Sequence, residues 1–79
     1  MVNTYDFLEL FKRLPHLDGN QRVISDWGYI PNLYHFDTKW HVSWIHHDDG
    51  CAFIDFERET PEEAIEAAFK WCKDFNLIE

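Results

Sequence analysis

The chain has 79 residues, a formal net charge of −8 and an aromatic content of 18%. This length suits one small domain, residues 1–79, and the many aromatic residues argue against disorder. The chain has no apolar run long enough to cross a bilayer, and its first residues lack the pattern of a signal peptide, so we expect a cytoplasmic protein.

Both ends of the chain predict helices. Apolar residues from Phe7 to Leu14 recur at helical spacing, with Asn3 or Thr4 as the N-cap and Pro15 as the stop. The segment 60–63, Thr-Pro-Glu-Glu, combines an N-cap, a proline at the first helical position and a glutamate three residues after the cap. A second helix is therefore expected to follow Thr60.

The middle of the chain predicts strands. Apolar and polar residues alternate over 39–46 and again over 51–58, which is typical of strands with one buried face. A three-residue loop, Asp48-Asp49-Gly50, gives the most consistent register. It pairs Trp44 with Ile54, Val42 with Phe56 and His46 with Ala52 on the buried face. It pairs His47 with Cys51, Ile45 with Phe53, Ser43 with Asp55 and His41 with Glu57 on the other.

An earlier strand is expected over 33–36, turning at Asp37 and Thr38. Its inward residues are either Tyr34 and Phe36 or Leu33 and His35. The predicted fold is thus a single α+β domain in the order α-β-β-β-α, a three-stranded antiparallel sheet with both helices on one face.

The segment 46–51, His-His-Asp-Asp-Gly-Cys, raises the question of a metal site. His47 and Cys51, as cross-strand neighbours, offer two ligands to zinc, and His41 lies about 20 Å away along the strand. A closed zinc site needs four ligands, so we assign no metal ligand and no cofactor.

A catalytic site is not expected either. Ser43 and His41 share a face with Asp55 and Glu57, but neighbouring positions on a flat sheet provide neither a pocket nor an oxyanion hole. We therefore assign no catalytic residue and predict that the protein is not an enzyme.

Two resemblances bear on the fold. The element order resembles that of double-stranded-RNA-binding domains, although the segment 60–66 carries acids where those domains present basic residues. The pattern W-x-V-x-W, then A-x-I-x-F, then T-P-E-E-A-I resembles small phage and prophage proteins such as the phage ABA-sandwich group. The matching residues are Trp40, Val42, Trp44, Ala52, Thr60, Pro61, Glu63, Ala64 and Ile65. This resemblance implies a phage-encoded protein that acts on a host.

The charge distribution predicts the kind of partner. Residues 48–66 hold eight acids and one base, which disfavours binding to phosphate backbones and favours a basic partner. We expect a non-catalytic protein–protein interaction module that inhibits a basic or nucleic-acid-binding host protein, for example as an anti-CRISPR or anti-restriction nucleic-acid mimic. The predicted contacts are Asp55, Glu57, Glu59, Glu62, Glu63, Glu66, His41, Ile45, Phe53 and Trp27.

Two alternatives stay open at this point. One is a structural homodimer formed through the outer face of the sheet, where the pair Ile45 and Phe53 would otherwise be exposed. The other is a small metal-binding or hydrolytic protein that uses His41, His47 and Cys51.

Overall fold

The computed structural model describes residues 4–78, with side chains from residue 7 onward. In this described part of the chain, a helix at each end flanks five strands. The elements are α1 (Thr4–Lys12), β1 (His16–Leu17), β2 (Val23–Ile24), β3 (Tyr29–Phe36), β4 (Lys39–His46), β5 (Ala52–Arg58) and α2 (Pro61–Asp74).

The two predicted helices are present. Helix α1 ends before Pro15, and its apolar side chains pack against the buried core. The predicted cap Asn3 and the side chain of Thr4 lie outside the described residues. Helix α2 begins as predicted, because the Thr60 hydroxyl accepts a hydrogen bond from the backbone N–H of Glu63.

The prediction of three strands is wrong, because the sheet has five antiparallel strands in the order β2-β1-β3-β4-β5. Strands β1 and β2 have two residues each, which is too short to show an alternating pattern. The Asp18 carboxylate closes the turn between them by accepting hydrogen bonds from the backbone N–H groups of Asn20 (2.8 Å) and Arg22 (2.9 Å).

The turn between β3 and β4 lies at Asp37 and Thr38, as predicted, and both residues have positive φ. This turn settles the facing of β3. Leu33 packs against the core and His35 lies against Trp40, so Tyr34 and Phe36 point to the opposite face.

The register between β4 and β5 is only partly the predicted one. The predicted partners are paired from His41–Glu57 to Trp44–Ile54, but Ile45 then pairs with Ala52. A β-bulge therefore leaves Phe53 without a partner.

The predicted three-residue loop is wrong for the same reason. His46 donates its backbone N–H to the carbonyl of Cys51 (2.8 Å), so four residues, 47–50, form the loop. The predicted pairs His46–Ala52 and His47–Cys51 are also wrong. The four-residue loop shifts the β5 partner of the β4 residues next to the loop by one position. The bulge at Phe53 restores the predicted pairing from Trp44–Ile54 onward.

The core lies between the sheet and the two helices. Helix α2 packs on β4 and β5, and α1 packs on α2. Trp44 is fully buried at the centre, with its ring 5.3 Å from that of Trp71 on α2. Within residues 4–78, neither helix has the length and hydropathy that a membrane-spanning segment requires.

Candidate partner-binding surface

The face of the sheet opposite the helices presents side chains in cross-strand rows. Because Trp44 and Val42 face the core, the alternate residues of β4 face away from it. One row is Tyr34, His41 and Glu57, and the next is Asn32, Ser43 and Asp55. We call this surface, with Phe36 and Lys39 at its end, the open face.

Asp55 is the centre of a hydrogen-bond network on the open face. It accepts hydrogen bonds from Ser43 Oγ (2.5 Å), from His41 Nδ1 (3.0 Å) and from the Tyr34 hydroxyl (3.5 Å). The Tyr34 ring lies over the His41 ring with a centroid distance of 5.0 Å and an interplanar angle of 3°. These contacts bury Ser43 and His41 although no helix among the described residues covers them.

The network changes the protonation of its members. The hydrogen bond to Asp55 raises the pKa of His41, and this outweighs the opposing effect of burial. Burial also disfavours the charged form of Asp55, but hydrogen bonds from Ser43 and His41 lower its pKa overall. Imidazolium and carboxylate are therefore the favoured pair, which stabilises this part of the open face.

The order of the three groups does not suit nucleophilic catalysis. In a serine–histidine–acid triad, the histidine accepts the serine proton and the acid orients the histidine. Here Ser43 donates directly to Asp55, and Nε2 of His41 is buried, has no hydrogen-bond partner and lies 3.8 Å from Glu57. The geometry leaves Ser43 without a histidine base.

The predicted acidic contacts occupy separate places rather than one surface. Asp55 and Glu57 lie on the open face, and Glu59 forms an ion pair with Lys39 beside it. On the helix side, Glu63 and Glu66 line a hollow that also contains Arg58 and Lys70, so its charges balance. Glu62 lines a different hollow, which lies between the two helices. The other residues of that hollow are apolar: Phe7, Leu8, Leu33, Trp40, Pro61 and Ile65.

The predicted apolar contacts are also separated. Ile45 lies half-buried on the open face. The prediction that Phe53 faces outward beside Ile45 is wrong, because the bulge turns its ring towards Trp71, at 6.3 Å. Trp27 is 63% exposed at the far end of the sheet, where its ring lies 6.1 Å from that of His47.

The two exposed aromatic residues of the open face were not among the predicted contacts. Tyr34 is 38% exposed and Phe36 is 67% exposed. Their alternation along β3 was the available signal, but their facing depended on the length of the next turn. They lie on β3, across β4 from the acids Glu57 and Asp55 on β5, so one surface presents both aromatic and carboxylate groups.

The predicted pair of zinc ligands, His47 and Cys51, is not the set that the fold brings together. Within residues 4–78, the group with metal-ligand spacing is His46, His47 and Asp48. Cys51 instead contacts Asp49, and a hydrogen bond with that carboxylate raises the pKa of the thiol. His46 and His47, which were expected on opposite faces, stack with a centroid distance of 4.9 Å because His47 belongs to the turn.

Comparison of the chain with protein-family models, with curated proteins and with solved structures found no match. The resemblances to phage proteins and to double-stranded-RNA-binding domains therefore stay predictions.

Proposed function

We propose that the protein is a non-catalytic binding module that holds a basic partner protein on its open face. The observation that supports this proposal is the exposure of Phe36 and Tyr34 on the same face as Glu57 and Asp55, across β4 from them and on the side of the sheet away from both described helices. Exposed aromatic side chains on such a face are typical of protein interfaces.

The chemistry of the open face favours arginine on the partner. A guanidinium group can lie on an aromatic ring and donate to a carboxylate at the same time. Phe36 provides an exposed ring on β3, and Glu57 on β5, with a side chain that is 58% exposed, provides a carboxylate in the neighbouring row on the other side of β4. We therefore expect an arginine-bearing protein surface to bind better than a lysine-bearing one.

The open face is already ordered before a partner binds. Asp55 is held by three side chains, and the Tyr34 hydroxyl lies 3.1 Å from Ser43 Oγ. Side chains that are fixed in the free protein lose little conformational entropy on binding. The fixed side chains around Asp55 therefore favour a role in recognition, and Ser43 in this network has no histidine base for catalysis.

Inhibition of a host nucleic-acid-binding protein by a phage-encoded protein would be one form of this function. Proteins of that class carry arginine-rich surfaces. Because the acids of this chain lie in separate places, the proposal depends on the open face and not on imitation of a long phosphate chain. We place this binding in the cytoplasm, where Cys51 and Cys72 would stay reduced as free thiols.

The test is a titration of the isotope-labelled protein with a synthetic arginine-rich peptide, followed by NMR. We expect shift changes at Phe36, Tyr34 and Glu57, and weaker binding of the matched lysine-rich peptide. Glu57→Lys should weaken binding about tenfold, the effect of losing one charge-assisted hydrogen bond.

Glu9→Lys is the matched control, because Glu9 lies on α1 and is an exposed acid as well. Equal weakening in the two variants would mean that only net charge matters and would contradict the proposal. Sedimentation of the protein without peptide tests the homodimer. A dimer whose formation is abolished by Phe36→Ala would show that a second copy occupies the open face instead of a basic partner.

A further inference from the structure

The end of the sheet opposite the β3–β4 turn contains a second cluster, formed by His46, His47 and Asp48. Each of the three offers one ligand atom, and these atoms lie within 4.8 Å of one another. We propose that this tip of the β4–β5 hairpin binds one zinc ion through these three side chains. The proposal is independent of the open face and of its partner.

His47 is already oriented as a metal ligand. Its Nδ1 lies 3.3 Å from the carbonyl oxygen of Gly28, which can only accept, so Nδ1 carries the proton. The other ring nitrogen, Nε2, lies 3.2 Å from Asp48 Oδ1, a separation that two ligand atoms of one zinc ion can have. Metal-binding histidines commonly donate their second ring N–H to a backbone carbonyl in this way.

The backbone also holds His47 in place. Its own N–H donates to the same Gly28 carbonyl oxygen at 3.0 Å. Main chain and ring are thus both fixed to the start of β3. A ligand whose orientation is fixed in the free protein loses less freedom when the cation binds.

His46 can join the site by moving one proton. In the free protein its Nδ1 accepts the backbone N–H of Asp48 at 3.2 Å, so Nε2 carries the proton. Transfer of that proton to Nδ1 leaves a lone pair on Nε2 and breaks the hydrogen bond from the Asp48 N–H. Asp49 Oδ1, 3.6 Å from Nδ1, can then approach and accept the new N–H, which gives His46 the carboxylate partner common among histidine ligands.

The donor set favours zinc over the hard cations. Two imidazoles and one carboxylate suit zinc, whereas calcium and magnesium prefer oxygen ligands. His46 is half-buried and His47 and Asp48 are exposed, so a cation reaches the cluster from solvent. Three protein ligands leave one position for water.

The test is calorimetric titration of tag-free protein with zinc chloride, with imidazole NMR signals as the second readout. We expect one zinc ion per chain and shifts confined to His46 and His47. His47→Ala and Asp48→Asn should each weaken binding at least tenfold, since each removes one ligand.

Two variants act as controls, and the amide NMR spectrum of each variant must show an intact fold. His35→Ala removes an exposed histidine at the other end of β3 and should leave the affinity unchanged. Cys51→Ser should also leave it unchanged, which separates this site from one built on His47 and Cys51. Absence of stoichiometric binding, or equal weakening in a control, would overturn the proposal.

Discussion

His41 is the residue whose surroundings depart most from the exposed strand position that the sequence indicates. It is 6% exposed, stacks on the Tyr34 ring, meets the Phe36 ring edge-on at 6.3 Å, and donates to Asp55. A buried imidazole is stable there because a carboxylate compensates its charge. The open face thus contains an ion pair between a buried imidazole and an exposed carboxylate in place of an apolar centre.

This pair makes stability depend on pH in two directions. The pKa of His41 is raised above 6.5 in the folded protein, so its contribution is complete below 6.5 and is lost as the pH rises through the raised value. The pKa of Asp55 is lowered below 3.8, so its contribution is complete above 3.8 and is lost as the pH falls through the lowered value. We expect the pair to stabilise the fold most between these two ordinary values.

Urea unfolding at several pH values, together with NMR titration of the His41 ring, checks this prediction. His41→Gln should flatten the loss of stability above pH 6.5. A His41 ring that titrates below 6.5 would contradict the assignment.

Gly28 decides how the short strands β1 and β2 join the larger sheet. A Cβ atom at this position would lie 2.7 Å from the carbonyl oxygen of Leu17 and 2.7 Å from Cδ1 of Ile24. The same glycine supplies the carbonyl that holds His47. At the scale of elements, the close approach of the Gly28 backbone to Leu17 therefore connects β1 and β2 to the end of β4.

Gly28→Ala is therefore expected to destabilise the protein by about 1–3 kcal/mol, the usual cost of overpacking, because the Leu17 backbone cannot move aside cheaply. The measurement is the free energy of unfolding in urea. Gly19→Ala is the matched control, since a Cβ there meets no atom within 4 Å, and its effect should stay within about 0.5 kcal/mol. Equal stability of the two variants would show that β1 and β2 do not depend on this approach.

At the scale of the whole molecule, Trp44 connects the elements that enclose the core. Its Nε1 donates to the Pro15 carbonyl after α1 at 2.9 Å, and its ring lies 5.3 Å from Trp71 of α2 and 6.3 Å from Phe56 of β5. Because one side chain touches the loop, the sheet and the helix, we expect the domain to unfold as one unit.

Trp44→Phe should lower the free energy of unfolding by about 1–3 kcal/mol, since it leaves the partly buried Pro15 carbonyl without its donor and creates a small cavity. Far-UV circular dichroism and tryptophan emission should still give the same unfolding midpoint. Separate midpoints for the helices and for the core would contradict a single cooperative unit.

Some features of this protein follow from local rules and were predicted. The N-cap Thr60 and the stop at Pro15 use hydrogen-bonding and steric preferences of neighbouring residues. The pairing of Trp44 with Ile54 follows from alternation, because a slip by one residue would expose every apolar ring. The sequence by itself thus determined both helices and the central part of the β4–β5 pairing.

Only the tertiary structure decided the remaining features. The two-residue strands exist because longer strands and a close approach at Gly28 support them. Phe53 points inward because of the bulge. The bulge changes the register between the four-residue loop and Trp44, so that Trp44 still packs on α2. The open face and the histidine tip likewise depend on these non-local contacts. The contacts that stabilise these features join groups that are distant along the chain, so no local sequence pattern predicts them.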